Sequence, residues 1–177
     1  MSQANMLTIR PEQTDDYEAI TEVNLAAFDG ETEARLVENL RKTSAFIPEL
    51  SLVAVLDGRV VGHILLSIVH IARDSERIPV ISLAPMAVLP VHQNQGIGSL
   101  LVRAGLEKCR ELGHSVVVLV GHPNYYPRFG FTPAGAQGLR LPFETPDEAF
   151  MVCELEPGAL DRISGEIIYP PEFSEEP

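Results

Sequence analysis

The segment from Val88 to Ser99 contains the residue types that bind a phosphate group. An apolar run ends at Val88, a polar loop follows, and Gly96 and Gly98 begin a helical pattern. The start of a helix has free backbone N–H groups and the positive end of the helix dipole, and glycines let an anion approach the backbone because they lack a Cβ. The sequence therefore predicts an anion site that would suit a pyrophosphate.

Two common phosphate motifs fit this segment poorly. A P-loop needs Gly-Lys-Ser/Thr, whereas Gly98 is followed by Ser99 and Leu100. A dinucleotide fingerprint needs a third glycine, and Leu101 stands at that position. The glycines alone are also compatible with a tight strand-to-helix turn that binds nothing.

The wider pattern resembles the acyl-CoA signature of the GNAT superfamily of N-acetyltransferases. In that family the signature is commonly written Arg/Gln-x-x-Gly-x-Gly/Ala. The corresponding segment of this sequence is Val88-x-Pro90-x-x-Gln93-x-x-Gly96-x-Gly98.

A second match lies downstream, where residues 124–131 resemble the family's later segment that ends Tyr-x-x-x-Gly-Phe. Tyr126 takes the tyrosine position. The resemblance extends from the strand at Leu7 to the strand near Cys153, and residues 121–131 are similar to bacterial members known only as predicted acetyltransferases.

The resemblance implies a strand that splays at a bulge, with acetyl-CoA as co-substrate in the resulting cleft. Pro85 fits the splay, because a proline cannot donate to a neighbouring strand. The resemblance implies that the pantetheine and thioester are faced by Met86, Ala87 and Val88, and that Gln93 shapes the loop. The expected donors to the phosphates are Asn94, Gln95, Gly96, Ile97, Gly98 and Ser99. Asn124 is also expected to bind the cofactor.

Acetyl transfer to an amine needs a polarised carbonyl and a proton for the departing thiolate. The resemblance implies that the backbone N–H of Val88 stabilises charge on the carbonyl oxygen. Tyr126, with an ordinary pKa of about 10, is protonated at neutral pH and would donate to sulfur. Tyr125 could exchange roles with it, and both rings could instead only pack over the sheet.

No general base stands out among Glu33, His63 and His122, and a water chain could remove the amine proton. His63 alternates with apolar neighbours, which is typical of a core histidine. The resemblance places the first two helices beside the acceptor, so we expect a cationic amine to be received by Glu31, Glu33 or Glu38. Glu33 is taken as the substrate-binding residue.

Neither metal chemistry nor an acyl-cysteine is expected. His70 and His114 have no His, Cys or carboxylate partners at ligand spacing, and Cys109 lies in a helical pattern away from any histidine motif. Direct attack of the amine on the thioester is therefore the expected route.

The elements that would position these residues form one α/β unit with a mixed twisted sheet flanked by helices. The third helix has apolar residues on one face, basic residues in its last turn and Gly113 as its stop. Helices are predicted at Asp15 to Phe28, Glu33 to Lys42 and Gly96 to Leu112, and strands at 7–9, 51–56, 60–66, 79–88, 116–120 and 148–156. Pro85 places the 79–88 strand in an edge or splayed position.

Composition limits the partners. The 177 residues include 13 Lys and Arg against 25 Asp and Glu, a net charge of −12, which disfavours nucleic acid and anionic membranes and favours cationic ligands. No apolar run approaches the ~18 to 20 residues of a membrane span, and residues 1–10 lack a leader pattern, so a soluble cytoplasmic protein is expected. Cys109 and Cys153 are expected to be reduced and buried.

The sequence thus predicts an enzyme, an acetyl-CoA-dependent N-acetyltransferase without metal, with its domain in residues 1–169 and a polar, proline-rich tail at 170–177. The acceptor is expected to be a small-molecule amine; a protein or peptide acceptor, and a non-catalytic acyl-CoA-binding sensor, remain alternatives. A homodimer is a family-level expectation, and the sequence leaves open whether Met1 or Met6 is the native start.

Overall fold

The computed structural model describes residues 6–174, so Met1 and the last three residues of the predicted tail lie outside the described residues. The three helices in this part of the chain are α1 (Tyr17–Ala27), α2 (Thr32–Leu40) and α3 (Ile97–Glu111). The strands are β1 (Leu7–Pro11), β2 (Ser51–Leu56), β3 (Arg59–Arg73), β4 (Glu76–Val88), β5 (Val116–Val120), β6 (Thr132–Pro133), β7 (Leu139–Arg140), β8 (Phe150–Glu154) and β9 (Gly165–Ile168).

Within the described residues the strands form one nine-stranded mixed sheet in the order β1-β2-β3-β4-β5-β8-β6, with β9 paired to β3 and β7. The β4–β5 and β7–β9 pairs are parallel, and the other pairs are antiparallel. This mixed α/β architecture confirms the predicted fold class.

The central feature of the sheet is the divergence of β4 from β5. The two strands pair only at Ile81↔Val117 and Ser82↔Val118, although β4 continues to Val88. Against β3, three steps of β4 from Leu83 to Met86 oppose two steps of β3, which is a bulge that contains Pro85. A bulge bends its strand, so β4 turns away from β5. Because β4 lies between β3 and β5, its position is splayed rather than at an edge.

Each face of the sheet has its own apolar core. On one face, Leu101 and Leu106 of α3 pack with Ile64 and Leu66 of β3 in a single buried cluster. On the other face, α1 and α2 cover β2 and β3. The buried residues of that second layer are Ile20, Val37, Leu40, Ala45, Val53 and Leu65, with Phe173 packed against them.

Helix boundaries differ from the predictions by a few residues. Residues 14–16 form a 3-10 turn before α1, where the Asp16 carboxylate accepts from the Gln13 N–H at 2.7 Å and pairs with Arg10 at 2.7 Å. Asp16 thus satisfies a donor ahead of the helix instead of lying within it. The α2 helix ends at Leu40, and the Arg41 N–H after it bonds back to the Val37 carbonyl.

The β3–β4 hairpin is longer than predicted. Asp74, with φ 54°, turns the chain within two residues, so β3 continues past the predicted end at residue 66 to Arg73, and β4 begins at Glu76 instead of residue 79. The short strands β6, β7 and β9 were not predicted, because two to four residues have no detectable alternation.

Candidate active site

A cleft of about 1010 Å³ opens where β4 leaves β5. Its floor consists of residues 83–88 of β4, and one wall is the loop between β4 and α3. The opposite wall is the segment after β5, including Gly121 and Tyr126. The end of α1 and the start of α2 close the remaining side with Phe28, Glu33 and Leu36.

The backbone of Val88 faces this cleft. The Leu89 N–H donates to the Val61 carbonyl at 2.9 Å, and Val88 stands opposite Gly62. In an antiparallel ladder this makes Val88 and Gly62 a non-hydrogen-bonded pair, so the Val88 N–H and carbonyl point away from β3. Since β5 has already diverged, the Val88 N–H is left without an acceptor among residues 6–174. By the same alternation, Met86 presents its backbone to the cleft, whereas Ala87 pairs with His63.

The loop after β4 presents a row of further donors. Within the part of the chain that the structure describes, no group accepts a hydrogen bond from the backbone N–H of residues 94–99, and the Leu100 N–H is the first to bond, to the Gly96 carbonyl at 3.1 Å. Asn94 at φ 64° and Gly96 at φ 87° adopt left-handed conformations that bend the loop. Successive free N–H groups at a helix start form an anion-binding concavity.

Gln93 holds this loop against the strand. Its side-chain amide donates to the Val88 carbonyl at 3.0 Å. That bond occupies the carbonyl that β5 would otherwise meet and leaves the adjacent N–H of Val88 free. Gln93 therefore connects the two donor sets, which agrees with a role in shaping the loop.

The predicted cofactor residues divide into two groups. Those that line the cleft are Met86, Ala87, Val88, Gln93, Asn94, Gly96, Gly98 and Ser99. The side chains of Gln95, Ile97 and Asn124 do not. Ile97, the first residue of α3, is buried in the core, and the Gln95 side-chain amide donates to the Val91 carbonyl at 3.4 Å. Asn124 contributes its backbone carbonyl, which accepts from Arg128 at 3.4 Å.

Tyr126 is buried at the wall of the cleft, with 9% of its surface exposed. Burial raises the pKa of its hydroxyl to about 12, so the group holds its proton throughout the neutral range. No described residue hydrogen-bonds that hydroxyl. The ring lies directly on Gly121, where an added Cβ would be only 2.6 Å from Tyr126 Cε2.

Tyr125 is placed differently from its neighbour. Its hydroxyl is 3.2 Å from the Ser99 hydroxyl at the start of α3, and its ring packs edge-on to Tyr126 with centroids 5.0 Å apart. Tyr125 is thus bonded to the start of α3, whereas the Tyr126 hydroxyl has no hydrogen-bonding partner among the described residues.

The three candidate bases lie in different environments. His63 is fully buried, bonded to Ser51 at 2.9 Å and to Asn24 at 3.4 Å, and burial lowers its pKa to about 3. It is a neutral core histidine outside the cleft. His122 lines the cleft and is exposed, and Glu33 lines it with a buried Oε2 that no described residue hydrogen-bonds.

Arg128 and His92 also line the cleft and were not predicted as site residues. Arg128 donates from Nε to the Tyr125 carbonyl at 2.8 Å and stacks over the Tyr125 ring at 4.6 Å. A guanidinium beside a donor-rich loop suits a phosphate, and its place two residues after Tyr126 was a usable signal. His92 enters the cleft from the loop.

No group of three or more His, Cys, Asp or Glu in the described residues could hold a metal ion. Cys109 and Cys153 are free and buried, and burial raises the pKa of both thiols. Among the helices described, none has the length and apolar character needed to cross a membrane.

Comparison with known proteins gives the family. A model described as an acetyltransferase (GNAT) domain matches residues 8–134. The chain belongs to the GNAT acetyltransferase family. This confirms the resemblance found in the sequence and makes the protein an enzyme of the N-acetyltransferase type.

Relatives cover most of the chain. Uncharacterized N-acetyltransferase YjhQ of Escherichia coli K12 is 40% identical over 134 residues, 75% of this chain and 74% of that protein. Uncharacterized N-acetyltransferase YhbS of the same strain is 34% identical over 169 residues, 95% of this chain and 99% of that protein.

Two solved GNAT structures have the same architecture. The crystal structure of Escherichia coli YhbS in complex with CoA superposes with a TM-score of 0.91 at 32% identity and covers 99% of this chain and 96% of that one. A GNAT family acetyltransferase from Brucella melitensis in complex with acetyl-CoA has a TM-score of 0.77 at 32% identity and covers 95% and 98%.

Proposed function

We propose that this GNAT-family enzyme transfers an acetyl group from acetyl-CoA to the primary amine of a small molecule by direct attack. The observation that carries this proposal is the cleft itself, in which the free N–H of Val88, the donor row of residues 94–99 and the unpaired hydroxyl of Tyr126 surround one space. The complexes of the two solved relatives with CoA and acetyl-CoA support the choice of co-substrate.

The residues present fit acetyl-CoA. The free N–H groups of residues 94–99, with Arg128 beside them, match the phosphates. The exposed backbone of Met86 and Val88 offers donors and acceptors suited to the amides of the pantetheine arm. When bound, the co-substrate supplies an activated thioester carbonyl.

Val88 and Tyr126 would stabilise negative charge at two different atoms, the carbonyl oxygen and the sulfur. The Val88 N–H would donate to the carbonyl oxygen as negative charge develops there, which is an oxyanion-hole role that needs no side chain. Tyr126 would donate a hydrogen bond toward sulfur. With its pKa at about 12 and a thiol near 8.5, complete proton transfer is uphill by about 5 kcal/mol, so the tyrosine would act as a hydrogen-bond donor to the thiolate. The ammonium would lose its proton before attack, and the amine would lose a second proton as the amide forms, both to solvent through a water chain.

Glu33 is proposed to attract the acceptor. Its Oε2 is buried at the cleft without a hydrogen-bonding partner among the described residues, and a carboxylate left in that state is stabilised by a cation. The net charge of −12 adds a field that concentrates ammonium ions near the protein. The wall formed by Phe28, Glu33 and Leu36 favours a compact amine over a peptide.

The test measures CoA release from acetyl-CoA with a panel of small amines, N-terminal peptides and lysine peptides. CoA release with small amines supports the proposal, whereas CoA release only with peptides would show that the acceptor is a protein. Saturable acetyl-CoA binding without release for any acceptor would identify a non-catalytic acyl-CoA-binding module.

The role of Glu33 has a matched control on the same helix. Glu38 does not line the cleft and its carboxylate accepts from the Thr21 hydroxyl at 3.1 Å. Glu33→Gln should raise the KM for the amine about fivefold or more while leaving the KM for acetyl-CoA unchanged, and Glu38→Gln should change neither. Equal increases in both KM values would contradict the assignment.

A further inference from the structure

A second pocket of about 470 Å³ lies behind the splay, and the catalytic function does not account for it. It shares Leu83, Ala84 and Val120 with the active-site cleft, so the two spaces meet where β4 and β5 separate. Ser82 also lines it, and the residues on either side of Ser82 pack on the α3 face. By alternation along the strand, Ser82 and this pocket lie on the opposite face of the sheet from α3.

The outer walls of this pocket are aromatic. Phe143 and Tyr169 have ring centroids 5.9 Å apart, and Tyr169 and Phe173 have centroids 5.0 Å apart. Phe173 belongs to a short 3-10 helix, Pro171–Ser174, that packs against α2. The C-terminal segment thus joins the helix that contributes Glu33 and encloses the pocket from that side.

We propose that this aromatic pocket holds the apolar body of the acceptor, so that the enzyme selects arylalkylamines. The inference rests on the proposed amine acetylation. An amine at the junction of the two spaces would have its nitrogen in the cleft and its ring among Phe143, Tyr169 and Phe173. A volume of 470 Å³ is within the range of about 300 to 1,000 Å³ typical of small-ligand pockets, and aromatic lining with few polar groups is their usual chemistry.

The charges around the pocket favour amines over amino acids. Glu166 lines the pocket and Glu33 lines the cleft. A carboxylate on the acceptor would meet negative charge at both places, whereas an ammonium would be attracted by both. Phenethylamine should therefore be preferred to phenylalanine, which differs from it only by the carboxylate.

The experiment compares kcat/KM for ethylamine, phenethylamine and phenylalanine at saturating acetyl-CoA. We expect phenethylamine to exceed each of the others by roughly tenfold or more, the discrimination that a filled apolar pocket supplies. Phe143→Ala should lower the phenethylamine-to-ethylamine ratio about fivefold or more. Leu112→Ala is the control, because Leu112 is 41% exposed and Phe143 52% exposed, and Leu112 lines neither space.

Three results would overturn the assignment: equal use of ethylamine and phenethylamine, a ratio that Phe143→Ala leaves unchanged, or a preference for hexanoyl-CoA over acetyl-CoA that Phe143→Ala abolishes. The last result would place an acyl chain in the pocket instead of the amine.

A binding measurement keeps the pocket testable without turnover. If no amine is acetylated, the proposed function fails, but calorimetric titration with N-acetylphenethylamine still tests the pocket. Saturable binding that Phe143→Ala weakens and Leu112→Ala does not would support the pocket, and absence of binding to the unsubstituted protein would refute it.

Discussion

Gly96→Ala tests the anion site in a way that separates ligand contact from folding. Gly96 is the residue before α3, with φ +87° and no atom within 4 Å of an added Cβ. Gly113, after the C-terminal end of the same helix, has φ +88° and equally empty surroundings. The two alanine variants therefore carry the same backbone strain, and only Gly96 lines the cleft.

The expected magnitudes differ between stability and binding. A left-handed conformation costs an alanine about 1 to 2 kcal/mol relative to glycine, so both variants should lose a similar free energy of unfolding, with Tm lower by about 2 to 4 °C per kcal/mol at this chain length. In Gly96→Ala the methyl group enters the space beside the free N–H row. Losing one hydrogen bond to a charged phosphate costs about 1.5 to 3 kcal/mol, or roughly tenfold or more in Kd.

Calorimetric titration with acetyl-CoA and thermal melts provide the two measurements. Acetyl-CoA at 100 times Kd should stabilise the unsubstituted protein by about 2.7 kcal/mol, a Tm shift of about 5 to 11 °C. Gly113→Ala should keep that shift, and Gly96→Ala should lose about half of it or more at the same ligand concentration. Equal Kd values for the two variants would refute the anion site, since their strain is matched.

Three other substitutions test the remaining chemistry. Tyr126→Phe should lower kcat about ten- to a hundredfold, the value of one hydrogen bond to a charged group, and leave the Kd for acetyl-CoA unchanged; a KM effect alone would show that Tyr126 only packs. Gly121→Ala should lower kcat too, because its Cβ would lie 2.6 Å from Tyr126 Cε2 and displace the ring, whereas an unchanged kcat would mean that the position of the ring is unimportant. Burial lowers the pKa of His63 to about 3 in the folded state, whereas in the unfolded state the pKa is about 6.5. Between these two pH values the unfolded state binds one proton more than the folded state. The free energy of unfolding therefore falls as pH falls, by up to about 1.4 kcal/mol per pH unit. Urea unfolding at pH 7 and pH 5 should show this slope, and His63→Asn should flatten it; an identical slope in the variant would assign it to other groups.

The parts of the site that were predictable are those encoded by adjacent residues. Gly96 and Gly98 indicate the start of a helix to within a few positions. Pro85 has no backbone N–H, so the sequence alone shows that one strand hydrogen bond is absent at that position. The structure places both features beside the same cleft. The bulge that creates the cleft required knowledge of the register between β3 and β4, which no local pattern contains.

The features that sequence could not supply depend on contacts between distant segments. The pKa of Tyr126 depends on how deeply the ring is buried, and its place depends on the absence of a side chain at Gly121. The aromatic pocket joins Leu83 and Val120 to Phe143 and Tyr169, residues that come from four separate stretches of chain. Periodicity and spacing describe one segment at a time, so such a pocket becomes visible only when the fold is assembled.

The acidic composition and the anionic co-substrate are reconciled by where the charges lie. Among the described residues that line the cleft, Arg128 is the single lysine or arginine, so the donors for phosphate are mainly backbone N–H groups of residues 94–99. Backbone donors bind an anion without changing the net charge of −12, which remains available to attract a cationic acceptor. Glu33 lines the same cleft, and in the proposed function its carboxylate would add to that attraction at the acceptor side. The proposed function thus requires no conflict between two oppositely charged substrates in one cleft, because backbone dipoles would recognise the anionic co-substrate and carboxylates would recognise the cationic acceptor.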